Sequence, residues 1–207
     1  MARFAPVERA ALADLLLEVG PDAATLCDGW TTRDLAAHLV VRGTRPDVAG
    51  GIFIRTLSTP LRRVQASVAA RPWSTLVAQA RRRPVWALPG ALDEAANRVE
   101  YYVHHEDVRR AQPGWEPRAL PADLSAGLWA GVRSRAPRVL RRTPARVTVA
   151  APGHGSIEAG LGGDPVELRG EPQELVLFLL GRQAHARVGL DGPAEVVDHM
   201  RHAHYGI

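Results

Sequence analysis

The feature that most constrains this chain is a change of hydrophobic rhythm near residue 142. Up to that point apolar residues recur at helical spacing. Beyond it, Arg146-Val147-Thr148-Val149-Ala150 alternates with period two and is rich in β-branched side chains. Helices first and strands later predict an α+β protein in which the two kinds of element are segregated. The expectation is a helical domain over residues 1–142 and a small α+β domain over residues 143–207. A chain of 207 residues is long enough to bury a sizeable core.

In the first part, Ala11, Leu12, Leu15, Leu16 and Val19 form an i, i+3, i+4 stripe that Gly20-Pro21 stops. Asp28-Gly29 reads as a turn. Thr31, with Asp34 three residues on, reads as a carboxylate variant of the capping box that opens a helix ending near Gly43. Further helices are predicted from Leu61 to about Ala70, from Ser74 as N-cap to Arg83, from Leu92 to Arg110, and from Pro121 to Leu140, interrupted or kinked at Pro137. Gly50-Gly51 and Pro60 break regular structure, Ile52-Phe53-Ile54 suits either buried helix or loop, and Val85-Trp86-Ala87-Leu88 reads as a connection. In the second part, strands are predicted at Arg146–Ala150, Ser156–Ala159 and Pro165–Arg169. Turns at Pro152–Gly155 and Gly162–Asp164 separate them, and helices follow over Glu171–Leu180 and Pro193–His202.

The helical part carries the chemistry. Glu100 and His104 stand four residues apart in a run without Gly or Pro, so they lie one above the other on one helix face. His38, in the second turn of the helix opened by Thr31, is the best third donor. Two His and one Glu with an open fourth position are the donor set of a catalytic zinc site, and facing helices can make such donors converge. The spacing alone leaves plainer readings open: a helix-stabilising Glu–His pair and a core histidine.

The neighbours read more simply. Asp107, three residues after His104, suits a bond to the second ring nitrogen, an exposed charge or a packing contact. His105 points about 100° away round the helix, towards the surface or another helix. Of Tyr101 and Tyr102, one is expected in the core and one at the surface. The His199, His202 and His204 cluster reads as a solvated tail. Ser156, His154 and Asp164 are hydrolase residue types, but the Gly-x-Ser-x-Gly elbow is absent. Cys27, the single cysteine, reads as a small buried hydrophobe; it rules out an intrachain disulfide and cysteine-rich zinc sites.

All 26 basic residues are Arg and the net charge is +4. Arg81-Arg82-Arg83 and Arg138 with Arg141-Arg142 are basic clusters. No nucleic-acid motif accompanies them, so a solvated face is expected and no nucleic-acid partner. No apolar run approaches the length of a membrane span, and Met1-Ala2-Arg3-Phe4-Ala5-Pro6 is no signal peptide; the expected location is the cytoplasm.

The stretch Leu26-Cys27-Asp28-Gly29-Trp30-Thr31-Thr32-Arg33-Asp34-Leu35-Ala36-Ala37-His38-Leu39 resembles the start of the mycothiol-dependent maleylpyruvate isomerase N-terminal family, of the DinB-like metal-binding superfamily. Glu100, His104 and Asp107 match its second signature, Glu-x-x-x-His-x-x-Asp. Residues 166–182, ending Leu179-Leu180-Gly181-Arg182, resemble the family's C-terminal domain, which is similar to sterol carrier proteins. The nearest likeness is to an uncharacterised actinobacterial metal-binding branch.

The resemblance implies a four-helix bundle, a metal held by His38, Glu100 and His104, and a thiol cosubstrate of the mycothiol type. The function expected from it is a zinc (or other divalent-metal) thiol-dependent transferase or isomerase acting on a small electrophile. A metal-dependent binding protein and a metal-hydroxide hydrolase are the alternatives. Arg182 is the candidate for gripping an anionic substrate group through its planar fork, a helix C-terminal charge being its plainer role.

Overall fold

The computed structural model describes residues 3–44, 58–85 and 90–205. The contacts divide the chain into two compact units, Met1–Glu116 and Pro117–Ile207. The expectations for Gly50-Gly51, Ile52-Phe53-Ile54 and Trp86-Ala87-Leu88 lie outside the described residues.

The first unit is helical: α1 Phe4–Val19, α2 Thr32–Thr44, α3 Ser58–Ala69, α4 Trp73–Ala80 and α5 Gly90–Arg109. α1 packs on α5, and α2 packs on α3 and α4. The core between them is built from Leu12, Leu16, Leu35, Ala36, Leu76, Val77 and Val108, all buried. α1 has no cap from its own sequence. The carboxylate of Glu94 on α5 instead accepts the backbone N–H groups of Phe4 at 2.8 Å and Ala5 at 3.1 Å, satisfying donors that a helix start leaves orphaned. α4 begins at Trp73 after Pro72, so Ser74 lies inside the helix rather than capping it. At α2, Asp34 reaches back to the Thr31 N–H at 3.0 Å. The Thr31 hydroxyl donates to that same carboxylate, so half of the expected capping box is present.

The second unit holds α6 Ala122–Val139, a four-stranded sheet and α7 Pro172–Leu179, with a 3₁₀ turn Gln183–His185 and α8 Ala194–His202. The strands are β1 Arg146–Ala151, β2 Gly155–Gly160, β3 Pro165–Arg169 and β4 Gly189–Asp191, in the order β2-β1-β3-β4. β1 pairs antiparallel with β2 but parallel with β3, so the turn after β2 carries the chain across to the other edge of β1. Gly160 makes that crossing possible. Its φ is +91°, and a Cβ there would meet the Ala145 carbonyl oxygen at 2.1 Å.

α6 groups with the strands, whereas a boundary near residue 143 was expected from the onset of alternation. Leu124, Leu128, Val132 and Ala136 are buried along its inner face, and it packs on α7 and β2. It runs through Pro137 in its last turn without interruption. Every residue of α7 is buried, as suits an apolar helix inside a unit. β4 is a three-residue edge strand that the alternation of the sequence does not reveal.

Candidate metal centre

The site lies within the first unit, between α2 and α5. Glu100 Oε1 is 3.4 Å from His104 Nε2 and 3.6 Å from His38 Nε2. The three donor atoms all lie within 4.8 Å of one another. Donors bound at about 2.1 Å around a tetrahedral ion stand roughly 3.4 Å apart, so these separations suit one zinc-sized cation. The donor chemistry, two imidazole nitrogens and a carboxylate oxygen, fits as well.

Each histidine is held from behind. His104 Nδ1 is 2.9 Å from Asp107 Oδ2, and Asp107 is wholly buried. This bond leaves Nε2 of His104 for the site. The same Asp107 oxygen accepts from Cys27 Sγ at 3.2 Å, and the Asp107 carbonyl accepts from the Leu26 N–H at 3.0 Å. The turn containing Cys27 is thus latched to α5. Thr25 folds it further: its hydroxyl donates to the Trp30 carbonyl at 2.9 Å and accepts from the Cys27 N–H at 3.2 Å. Gly29, at φ +71°, lets the turn close. The product is Trp30 against His38, ring centres 5.2 Å apart; the His38 and His104 rings are 5.3 Å apart, edge to face. One loop therefore supports both histidines.

Arg42, one turn beyond His38 on α2, places Nε 3.0 Å from Glu100 Oε1. Its Nη1 donates to Asn97 Oδ1 at 2.8 Å.

The electrostatics follow from burial and these bonds. Burial opposes the charged ring of His104. The bonds to Asp107, Cys27 and Glu100 outweigh it and hold the ring well above its ordinary pKa. Burial also opposes the Glu100 carboxylate, but its bonds with His104 and His38 and the nearby Arg42 charge keep it well below its ordinary value. His38 is lowered, chiefly by burial, against the pull of its bond to Glu100. Without a metal, these shifts favour a charged His104 ring between Asp107 and Glu100 and a neutral His38.

The structure brings His38, Glu100 and His104 together, with Asp107 behind His104. His105 turns to α1, where Nδ1 lies 2.8 Å from Glu8 Oε2 in a buried pair. Tyr101 and Tyr102 are both buried, because α5 is covered on more than one side. Cys27 is half-buried and packs against the hydrophobic core, and its thiol also donates to the Asp107 carboxylate, so it is a polar latch as well as a packing residue. Arg182 belongs to the second unit. Its N–H closes the end of α7 on the Leu177 carbonyl at 2.9 Å, and its guanidinium donates to the Leu180 carbonyl, a helix C-terminal role. His199, His202 and His204 are exposed. His154 Nε2 lies 3.3 Å from the hydroxyl of Ser125.

Arg42, Asn97 and the support of His38 by Trp30 are site features that the motif spacing does not mark. The i+4 step from His38 to Arg42 and the i−3 step from Glu100 to Asn97 are the signals that point to the first two.

No protein-family model matches the chain, and no curated protein matches it in sequence. Among solved structures, the mycothiol-dependent maleylpyruvate isomerase shares its fold, with a TM-score of 0.58 and 14% identity over 91% of this chain and 90% of that one. A histidine-to-alanine variant of that isomerase matches at a TM-score of 0.61, again at 14% identity with the same coverage. The chain therefore has the mixed α and β fold of that isomerase. No helix among the described residues is long and apolar enough to cross a membrane.

Proposed function

We propose that this chain is a divalent-metal, thiol-dependent transferase or isomerase that acts on a small electrophile, with zinc as the metal. Its first unit is read as a DinB-like bundle and its second as a sterol-carrier-like domain. The observation that carries the proposal is the convergence of His38 Nε2, Glu100 Oε1 and His104 Nε2 at separations of 3.4 and 3.6 Å, on the fold of a mycothiol-dependent isomerase.

His38, Glu100 and His104 hold the ion. Once bound, the ion supplies Lewis acidity that keeps a coordinated thiol deprotonated near neutral pH. Asp107 keeps His104 in the tautomer that offers Nε2, and Trp30 limits the rotation of His38. The site's electrostatics suit an anionic partner, because Glu100 is its single carboxylate donor and Arg42 lies against it. Mycothiol, or a similar low-molecular-weight thiol, is the proposed cosubstrate. Arg182 is the second unit's proposed grip for an anionic substrate group.

The test is a titration of mycothiol into metal-loaded protein, followed by calorimetry. Saturable binding that disappears when the metal is stripped supports the proposal. Stoichiometric metal without thiol binding would turn the reading towards a hydrolase or a binding protein. For Arg182, the Arg182→Ala variant is expected to weaken capture of the electrophile while leaving metal content and thiol affinity unchanged.

A further inference from the structure

Arg42 is built into the site more firmly than a surface ion pair would be. Its side chain is 13% exposed, and Asn97, which accepts its Nη1, is 1% exposed. The guanidinium is thus anchored on α5 at two points, Asn97 Oδ1 and Glu100 Oε1. Oε1 is also the oxygen nearest the two histidines. A carboxylate oxygen has two lone pairs, so it can accept from Arg42 and still face the imidazole nitrogens.

The charge balance gives this arrangement a consequence. Two neutral imidazoles and one carboxylate leave a divalent ion with a residual charge of about +1. Arg42 adds a permanent positive charge, since a guanidinium does not lose its proton in proteins. The Nε to Oε1 distance is 3.0 Å. With a metal–oxygen bond of about 2.1 Å, that nitrogen lies no more than about 5 Å from an ion on Glu100. This is well inside the screening length of about 8 Å at physiological salt. A fixed cation so close favours a negatively charged exogenous ligand over a neutral one.

We propose that Arg42 is a specificity-determining residue that biases the exogenous ligand of the His38–Glu100–His104 site towards anions, thiolates foremost. The inference rests on the metal-site reading given above. It adds to that reading the residue that selects the thiolate form.

The test uses the full chain loaded with cobalt(II), whose visible spectrum reports ligand exchange. The probes are 2-mercaptoethanol as thiolate source and imidazole as neutral ligand. Wild type is compared with Arg42→Gln and Arg42→Lys. The expected result for Arg42→Gln is one metal per chain, thiolate affinity weakened by roughly 10- to 100-fold, and imidazole affinity unweakened. Arg42→Lys keeps the charge and is expected to restore most of the thiolate preference. An equal loss for both probes in Arg42→Gln would show a merely structural role, and no loss for either would show no role; both overturn the inference while leaving the metal site standing. A wild-type protein that takes up no cobalt overturns the metal-site reading, and this inference falls with it.

Discussion

Asp107 Oδ2 lies 2.9 Å from His104 Nδ1, and the aspartate is wholly buried. A carboxylate placed there does two jobs. It fixes the ring so that Nε2 faces Glu100 and His38, and it raises the basicity of that nitrogen. It also accepts from Cys27, so it ties the Trp30 loop to the site. Asp107→Asn preserves shape but removes the charge and the demand for an N–H at Nδ1. Metal affinity is expected to fall about 10- to 100-fold, measured by competition with a chromophoric chelator. Unchanged affinity would mean that His104 needs no orientation from behind.

The site's pH dependence has a definite sign. His104 is held above its ordinary value of 6.5, so in the metal-free protein it stabilises the fold fully below pH 6.5, and that stability is lost as the pH rises through its raised value. Glu100 is held below its ordinary 4.5, so its contribution is present above pH 4.5 and is lost as the pH falls through its lowered value. His38 is lowered, so its contribution is present above pH 6.5 and is lost as the pH falls through its lowered value. A metal needs His104 unprotonated, so binding should release its proton and affinity should climb as the pH rises above 6.5. Calorimetry at pH 7 in buffers of differing ionisation enthalpy is expected to show proton release. No buffer dependence would contradict the protonated His104–Glu100 pair.

Adjacent histidines should behave oppositely. His105 pairs with Glu8 inside the α1–α5 interface and faces away from the site. His105→Ala leaves a buried carboxylate without that partner and is expected to cost about 1–3 kcal/mol in urea unfolding. It should still bind one metal per chain. His104→Ala is expected to lose the metal. If His105→Ala lost the metal in protein that remained folded, the assignment of faces along α5 would be wrong.

The crossing after β2 gives a separate test of the second unit. Gly160→Ala places a Cβ against the Ala145 carbonyl oxygen and forces a positive φ on a non-glycine residue. The expected cost is more than about 1 kcal/mol in thermal or urea unfolding, with metal content per folded chain unchanged. A neutral effect would mean that the backbone there relaxes freely.

Much of this was legible because the informative signals are local. The spacing of Glu100 and His104 follows from helix geometry alone, and the Thr31–Asp34 start places His38 in the second turn of α2. The alternation at Arg146–Ala150 marks β1 directly. What escaped depends on tertiary neighbours. Nothing near Phe4 announces that Glu94 caps α1 from far along the chain. The crossing of β3 to the far side of β1 is set by a close approach at Gly160 that turn residues do not encode. Tyr102 is buried because of what covers α5, and Cys27 owes its polar role to Asp107, which is remote in sequence. The grouping of α6 with the sheet follows from what its apolar face covers, a matter that periodicity leaves open.

If His38, Glu100 and His104 hold a divalent ion, metal content per folded chain must depend on all three. Untagged wild type and His38→Ala would be purified, reconstituted with zinc, desalted and measured by elemental analysis, with circular dichroism confirming the fold. About one zinc per chain is expected in wild type and little in the variant. A folded wild type that holds none, or a variant that keeps its full complement, would contradict the assignment of these ligands.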